Sequence, residues 1–239
     1  DCLLRYRMDY MKFVMNHVEK NADITIACIP CDERRASDFG LMKIDSKGRV
    51  LDFEEKPKGE KLEEMKVDTT VLGLDSVKAA EQPYIASMGV YVFKKDILLN
   101  LLDLFSDAND FGSEVIPGAN EEGYYISAYL FDGYWEDIGT VRSFFDANLA
   151  LTEDPAHFEF YDPEYPIYTS PRGLHPSSIR DSKITKALIS HGCRIEKSTI
   201  HHAVIGNRCI IETGCDIQNA MVMGADFYEK EVERDRRIA

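Results

Sequence analysis

The chain has 239 residues, 44% of them hydrophobic, enough for one large domain or two modest ones around a real core. Lys and Arg number 28 against 42 Asp and Glu, and the formal net charge of −14 argues against broad binding of nucleic-acid phosphates; a small phosphorylated ligand needs only one or two local cations. No apolar run approaches the roughly 18 residues that a membrane-spanning helix requires, and the dispersed cysteines Cys2, Cys28, Cys31, Cys193, Cys209 and Cys215 suggest a reducing compartment rather than a disulfide framework.

From Met8 to Val18, the apolar Met11, Phe13, Val14, Met15 and Val18 alternate with polar residues, the pattern of a helix with a buried face. Ile24 to Ile29 reads as a strand after the turn residues Asn21 and Asp23, and a helix followed by a buried strand is the unit of a layered α/β domain. Cys28 and Cys31 form C-x-x-C, a spacing open to a redox or zinc pair, but the second pair that a zinc site needs is missing, and the plainer reading makes them the end of that strand and the start of a loop after Pro30. Leu41 to Ile44 and Val50 to Phe53 flank Asp45-Ser46-Lys47-Gly48, a hairpin signal. Ala86 to Phe93 follows as a strand, Lys94 to Leu104 as a leucine-rich helix, Tyr124 to Tyr134 as a strand, and Val141 to Leu151 as a helix.

Between Asp154 and Pro176, five prolines and many aromatics predict an extended segment and a domain boundary. Beyond it, Ile189 and Ile195 are six apart, Ile205, Ile211, Ile217 and Met223 continue at six, and Cys209, Cys215 and Met221 form a second series. With Gly192, Gly206 and Gly214 interspersed, that period marks a β-helix; a slip between Ile195 and Ile205 leaves a plain antiparallel β arrangement open.

Phe53-Glu54-Glu55-Lys56-Pro57 sets acidic residues and then a lysine before a proline, which should hold Lys56 extended. The ammonium suits a phosphate and the Glu55 carboxylate can accept sugar hydroxyl protons, although a solvated charge cluster at a strand end fits the same five residues. Gly40 is a strand-entry glycine or a close approach of ligand to backbone. Ser87-Met88-Gly89 offers a hydroxyl or a plain strand edge, and Asp110 is a sugar-binding carboxylate or, more simply, the N-cap of a helix around Ser113 to Ile116. Trp135-Glu136-Asp137-Ile138-Gly139-Thr140 puts the only tryptophan beside two carboxylates at a strand-to-helix junction, where ligands collect in α/β domains and where a carboxylate can hold Mg²⁺ or merely favour the next helix.

The stretches YRMDYMKFV (Tyr6 to Val14), NADITIACIP (Asn21 to Pro30), FGLMKID (Phe39 to Asp45), FEEKPKGE (Phe53 to Glu60), YIASMGVYVF (Tyr84 to Phe93), NDFGSEVIP (Asn109 to Pro117), YWEDIGTVRSFFDANLALT (Tyr134 to Thr152) and ISHGCRIE (Ile189 to Glu196) resemble the ADP-glucose pyrophosphorylase family in its plant and algal small-subunit form. The fold this implies is α/β: a Rossmann-like nucleotide-diphospho-sugar transferase domain, incomplete at its start, over 1–153, a Pro- and aromatic-rich connector over 154–182, and the start of a left-handed parallel β-helix over 183–239. The resemblance implies transfer of adenylyl from ATP to glucose 1-phosphate with Mg²⁺, giving ADP-glucose for starch and pyrophosphate, in a plastid tetramer of large and small subunits. It assigns Gly40, Glu55, Lys56, Ser87 and Asp110 to the glucose 1-phosphate pocket, with Lys56 on the phosphate and Glu55 on the sugar, and Asp137 to the catalytic metal.

The sequence departs from that family at several points. The glycine-rich nucleotide loop would lie upstream of Asp1, and the family's Gly-Asp-His metal motif is replaced by Asp1-Cys2-Leu3-Leu4-Arg5, where only Asp1 could serve as a metal ligand. Phe39 stands where the family often has tyrosine, and the later β-helix coils and basic regulatory segment are missing. These departures predict an inactive isolated chain. They keep open a non-catalytic subunit of the same hetero-oligomer, or a transferase using another nucleotide or sugar. The active reading requires Lys56 and Asp137 to face one sugar-phosphate cavity.

Overall fold

The computed structural model describes residues 4–156, 158–164, 166 and 170–228. It divides into two compact units, one of Tyr6–Trp135 and one from Glu136 onward that also takes in Leu4 and Arg5. Among the described residues, no helix is long and apolar enough to cross a membrane.

After β1 (Leu4–Tyr6), of which only Tyr6 belongs to the first unit, that unit runs through α1 (Tyr10–Glu19), β2 (Ile24–Cys31), the short α2 (Glu33–Ala36), and the hairpin of β3 (Gly40–Ile44) and β4 (Val50–Glu55). Then come α3 (Glu60–Glu64), a 3₁₀ turn at Thr69–Leu72, α4 (Ser76–Glu81), β5 (Tyr84–Phe93) and α5 (Lys95–Leu104). A π-helical turn at Phe111–Val115 runs into α6 (Ile116–Glu121), β6 (Ile126–Leu130) and β7 (Trp135–Asp137), whose last two residues belong to the second unit. Five strands form one mixed sheet in the order β4-β3-β5-β2-β6, with β2 and β6 parallel and the other pairs antiparallel. Ile24, Ile26, Met42, Phe53, Ile85 and Ile126 from these strands pack with Leu101, Val115 and Ile116 from the helical segments in one buried cluster. This layering is what makes the unit fold: strands bury one face against helices whose apolar residues recur at helical spacing.

Several local expectations change. Helix α1 starts on the N-cap Asp9, whose carboxylate accepts the N–H groups of Met11 and Lys12, but it buries only Phe13 and His17. Met11 and Val18 remain 67% and 68% exposed, and Val14 and Met15 are exposed too. Phe13 and His17 are four apart and so share one stripe, where His17 Nδ1 lies 2.7 Å from Thr25 Oγ1 on β2; the other apolar residues fall off that stripe. Cys31 lies inside β2 rather than in a loop, paired with Tyr84 of β5. Burial pushes both Cys28 and Cys31 up to about 12, so they are inert core thiols. Of the expected strand Tyr124 to Tyr134 only β6, Ile126–Leu130, forms; β7 begins just beyond it at Trp135.

In the second unit, Thr140 and Ser143 form a capping box at the start of α7 (Val141–Leu149), which a 3₁₀ turn at Ala150–Thr152 extends. The strands β8 (Ser178–Arg180), β9 (Lys183–Ile189), β10 (Arg194–Glu196), β11 (Thr199–Ile205), β12 (Ile210–Ile211) and β13 (Asp216–Val222) follow. They pair only in parallel, β8-β10-β12 in one sheet and β9-β11-β13 in another, which rules out the antiparallel alternative. Each coil stacks like on like: Ile179, Ile195 and Ile211 form one column, Ile184, Ile200 and Ile217 another, and Ile189, Ile205 and Val222 a third. The slip in the six-residue period has a simple cause. Ile195, Ile200 and Ile205 are spaced by five, because consecutive faces of the coil take either five or six residues.

Candidate active site

The β3–β4 hairpin and the π turn build the polar end of the first unit. Register pairs Gly40 with Glu55 across the hairpin, and Lys56 N–H donates to the Phe39 carbonyl at 3.1 Å, closing the ladder. Lys56 is not extended as Pro57 led one to expect: its φ is +47°, a left-handed conformation uncommon outside glycine. The closing hydrogen bond to Phe39 and the turn toward α3 outweigh the local preference imposed by the proline. Backbone held in this sparse region is a form of strain that clusters at functional sites.

The Lys56 ammonium is 3.6 Å from Glu55 Oε1, with side-chain exposures of 62% for the lysine and 27% for the glutamate. Burial raises the Glu55 carboxyl above its usual range; Lys56 opposes that and the negative charge of Asp110 adds to it. Asp110 moves the other way. It caps the π turn, accepting from the Ser113 N–H at 2.7 Å and the Ser113 hydroxyl at 2.8 Å, and these bonds lower its carboxyl, with a smaller pull from Lys56. The capping reading of Asp110 is therefore correct, and its charge still reaches both Glu55 and Lys56.

Ser87 sits on β5 next to Ala86, the partner of Leu41. Between the pairs Ile26–Tyr91 and Cys28–Ser87 the register shifts, and Gly89 there has φ +70° while its N–H donates to Ser87 Oγ at 3.2 Å. This irregularity aims the nearly buried Ser87 hydroxyl, and bulges of this kind recur beside active sites.

One contributor escaped the sequence reading. A Cβ at Gly112 would lie 2.7 Å from Glu55 Oε2, and one at Gly40 would lie 2.5 Å from the same oxygen. Two glycines thus form the notch that seats one carboxylate. The available signal was a glycine inside a helix start two residues after the capping Asp110, a poor position for glycine unless space is needed.

Asp137 belongs to the second unit, where β7 ends and Thr140 caps α7, so the predicted strand-to-helix junction is present. Its Oδ1 accepts the Gly139 N–H at 3.0 Å. Trp135, in the first unit, packs edge-on against Phe39, and its buried indole N–H has no hydrogen-bond partner. Asp1 falls outside the described residues. Among the described residues no cluster of three or more His, Cys, Asp or Glu could hold a metal. A lone carboxylate such as Asp137 suits Mg²⁺, which takes one or two protein carboxylates and completes its shell with phosphate oxygens and water.

Residues 4–154 match the nucleotidyl transferase family. The chain belongs to that family. In this nucleotidyl transferase the β-helical segment, residues 172–239, matches the GLGC left-handed parallel β-helix domain, which fixes the hand of the coils. The glucose-1-phosphate adenylyltransferase small subunit, chloroplastic/amyloplastic, of Triticum aestivum is 55% identical over 231 residues, covering 96% of this chain and 49% of that protein. The chain spans about half the length of this relative.

Proposed function

We propose that this nucleotidyl transferase acts as, or as part of, a glucose-1-phosphate adenylyltransferase, joining ATP and glucose 1-phosphate into ADP-glucose and pyrophosphate. The observation that carries the reading is the meeting of Lys56, Glu55 and Asp110 around the two-glycine notch, inside a domain of the matching family. A sugar phosphate asks for such a set: a point cation for its phosphate and fixed carboxylate acceptors for its hydroxyls.

In the proposed reaction an oxygen of the sugar phosphate attacks the α-phosphorus of ATP, a new P–O bond forms, and the α–β phosphoanhydride bond breaks to release pyrophosphate. Lys56 holds the attacking phosphate and offsets its charge, while Glu55, Asp110 and Ser87 orient the sugar, so the chain's own work is positioning and electrostatics. Asp137, with Asp1 as a second candidate, would hold Mg²⁺, which supplies charge neutralisation on the polyphosphate. We further propose a plastid location and a hetero-oligomer with a large-subunit partner, supported by the name of the Triticum aestivum relative, a chloroplastic/amyloplastic small subunit.

Replacing Lys56 by Ala tests the central role. A charge-assisted bond to phosphate is worth about 1.5–3 kcal/mol, so KM for glucose 1-phosphate should rise roughly 10- to 100-fold in the full-length subunit while KM for ATP stays nearly constant. Equal rises in both would remove the phosphate contact from the proposal.

A further inference from the structure

The π turn does more than present Asp110. Its first residue, Phe111, packs against Tyr91 and Phe93 of β5 with ring centroids 6.4 Å and 5.8 Å away. Its entry is tied down by Glu114, whose carboxylate accepts the N–H groups of Asn109 at 2.7 Å and Asp110 at 3.0 Å. The backbone at Gly112 is thereby fixed against the sheet, and the nearest side-chain atoms to a Cβ there would be Glu55 Oε2 at 2.7 Å, Glu55 Cδ at 3.1 Å and Asp110 Oδ1 at 3.4 Å.

We infer that Gly112 is a positioning residue for the sugar subsite: its absent side chain lets Glu55 rest with Oε2 in the notch and Oε1 toward Lys56, and any Cβ at 112 turns the carboxylate out of the orientation that receives sugar hydroxyls. This inference rests on the sugar-phosphate reading above. The requirement is one of space and not of backbone freedom, because Gly112 is not among the residues with positive φ. The atom in the way is the far end of a flexible side chain, so an alanine displaces Glu55 at little cost to the fold. Gly40 differs, since a Cβ there also meets the Phe53 ring at 2.7 Å, and Phe53 is a core residue. The two sides of the notch therefore separate function from stability.

The test is a titration of the intact chain with glucose 1-phosphate and, separately, with inorganic phosphate, followed by NMR or calorimetry, on the unaltered protein, Gly112→Ala, Glu55→Asp and the double variant. Gly112→Ala should weaken glucose 1-phosphate binding at least tenfold, leave phosphate binding at Lys56 within twofold, and keep its melting temperature. Shortening the carboxylate in the Gly112→Ala background should restore at least threefold of the lost affinity, whereas Glu55→Asp alone should weaken binding. Any other pattern overturns the inference, including parallel loss of both ligands or no recovery in the double variant. Failure of the unaltered chain to bind glucose 1-phosphate would instead overturn the sugar-phosphate reading, and this inference with it.

Discussion

In the β-helix a buried residue is defined by the one stacked on it: Ile200 lies between Ile184 and Ile217, and each makes the same kind of contact. In the sheet unit nothing repeats. Gly40, Glu55 and Gly112 come from two strands of a hairpin and a turn more than fifty residues later, yet they meet at one carboxylate oxygen. The contrast teaches where chemistry can be housed. A stack of equivalent coils shares its load along columns, while a mixed sheet brings unlike segments together at its strand ends and can hold one charged group between parts of the chain far apart in sequence.

The largest effect that would sharpen this contrast is in thiol reactivity. All five described cysteines are free; Cys28 and Cys31 are buried in the sheet unit with thiols pushed up to about 12, whereas Cys215 of the β-helix is partly exposed. In a Cys2→Ser background, a disulfide reagent at pH 8 should modify Cys215 at least ~100-fold faster than Cys28 or Cys31, as read by mass spectrometry, since the thiolate is the attacking species. Comparable rates would mean that the sheet opens as readily as the stack.

Next in size is Ile200→Ala. It removes the fully buried middle of a column and should cost about 3 kcal/mol in urea unfolding, while Lys56→Ala, which fills no core space, should cost less than about 0.5 kcal/mol. A reversal of that order would break the division between residues that build and residues that react.

A smaller effect concerns pH. The Glu55 carboxyl is raised, mainly by burial, so the native state keeps a proton at pH values where the unfolded chain has released it. Stability from this group therefore rises as pH falls through its raised value and levels off below the unfolded pKa. Glu55→Gln should flatten that slope and lift the melting temperature at neutral pH by about 1–2 °C, at the expense of sugar binding. The smallest change is Lys197→Gly: Lys197 has φ +45° at a coil corner, and Gly214, whose N–H donates to the Lys197 carbonyl, already occupies the like conformation one coil on. Glycine there should stabilise by about 0.5 kcal/mol, and a loss would show that the corner lysine contributes something beyond its backbone.

The hairpin around Asp45, the strand from Ala86 to Phe93, which the structure begins two residues earlier, and the capping role of Asp110 were legible in the sequence because each depends on neighbours in the chain. The apolar set on α1 misled, because apolar content does not say which stripe faces the sheet; the polar His17 is inside and Met11 outside. Ile200 was overlooked since a strict period of six steps over it. For the candidate site, Glu55 and Lys56 stood out by their charges next to a proline, but the left-handed Lys56 backbone is set by the Phe39 carbonyl, a partner seventeen residues away. Gly112 shows the same limit, for a missing side chain acquires meaning only from what occupies its space.

The corner between the first and second columns of the stack carries a further consequence. From Ile179 to Ile184 and from Ile195 to Ile200 the chain advances five residues, but from Ile211 to Ile217 it advances six, and the isoleucines still align. The surplus residue is absorbed in the bend that holds Gly214 at φ +88°. Such a bend works as an expansion joint: a short foreign loop grafted there would leave the threading of the solenoid undisturbed, giving a place to attach a probe or tether.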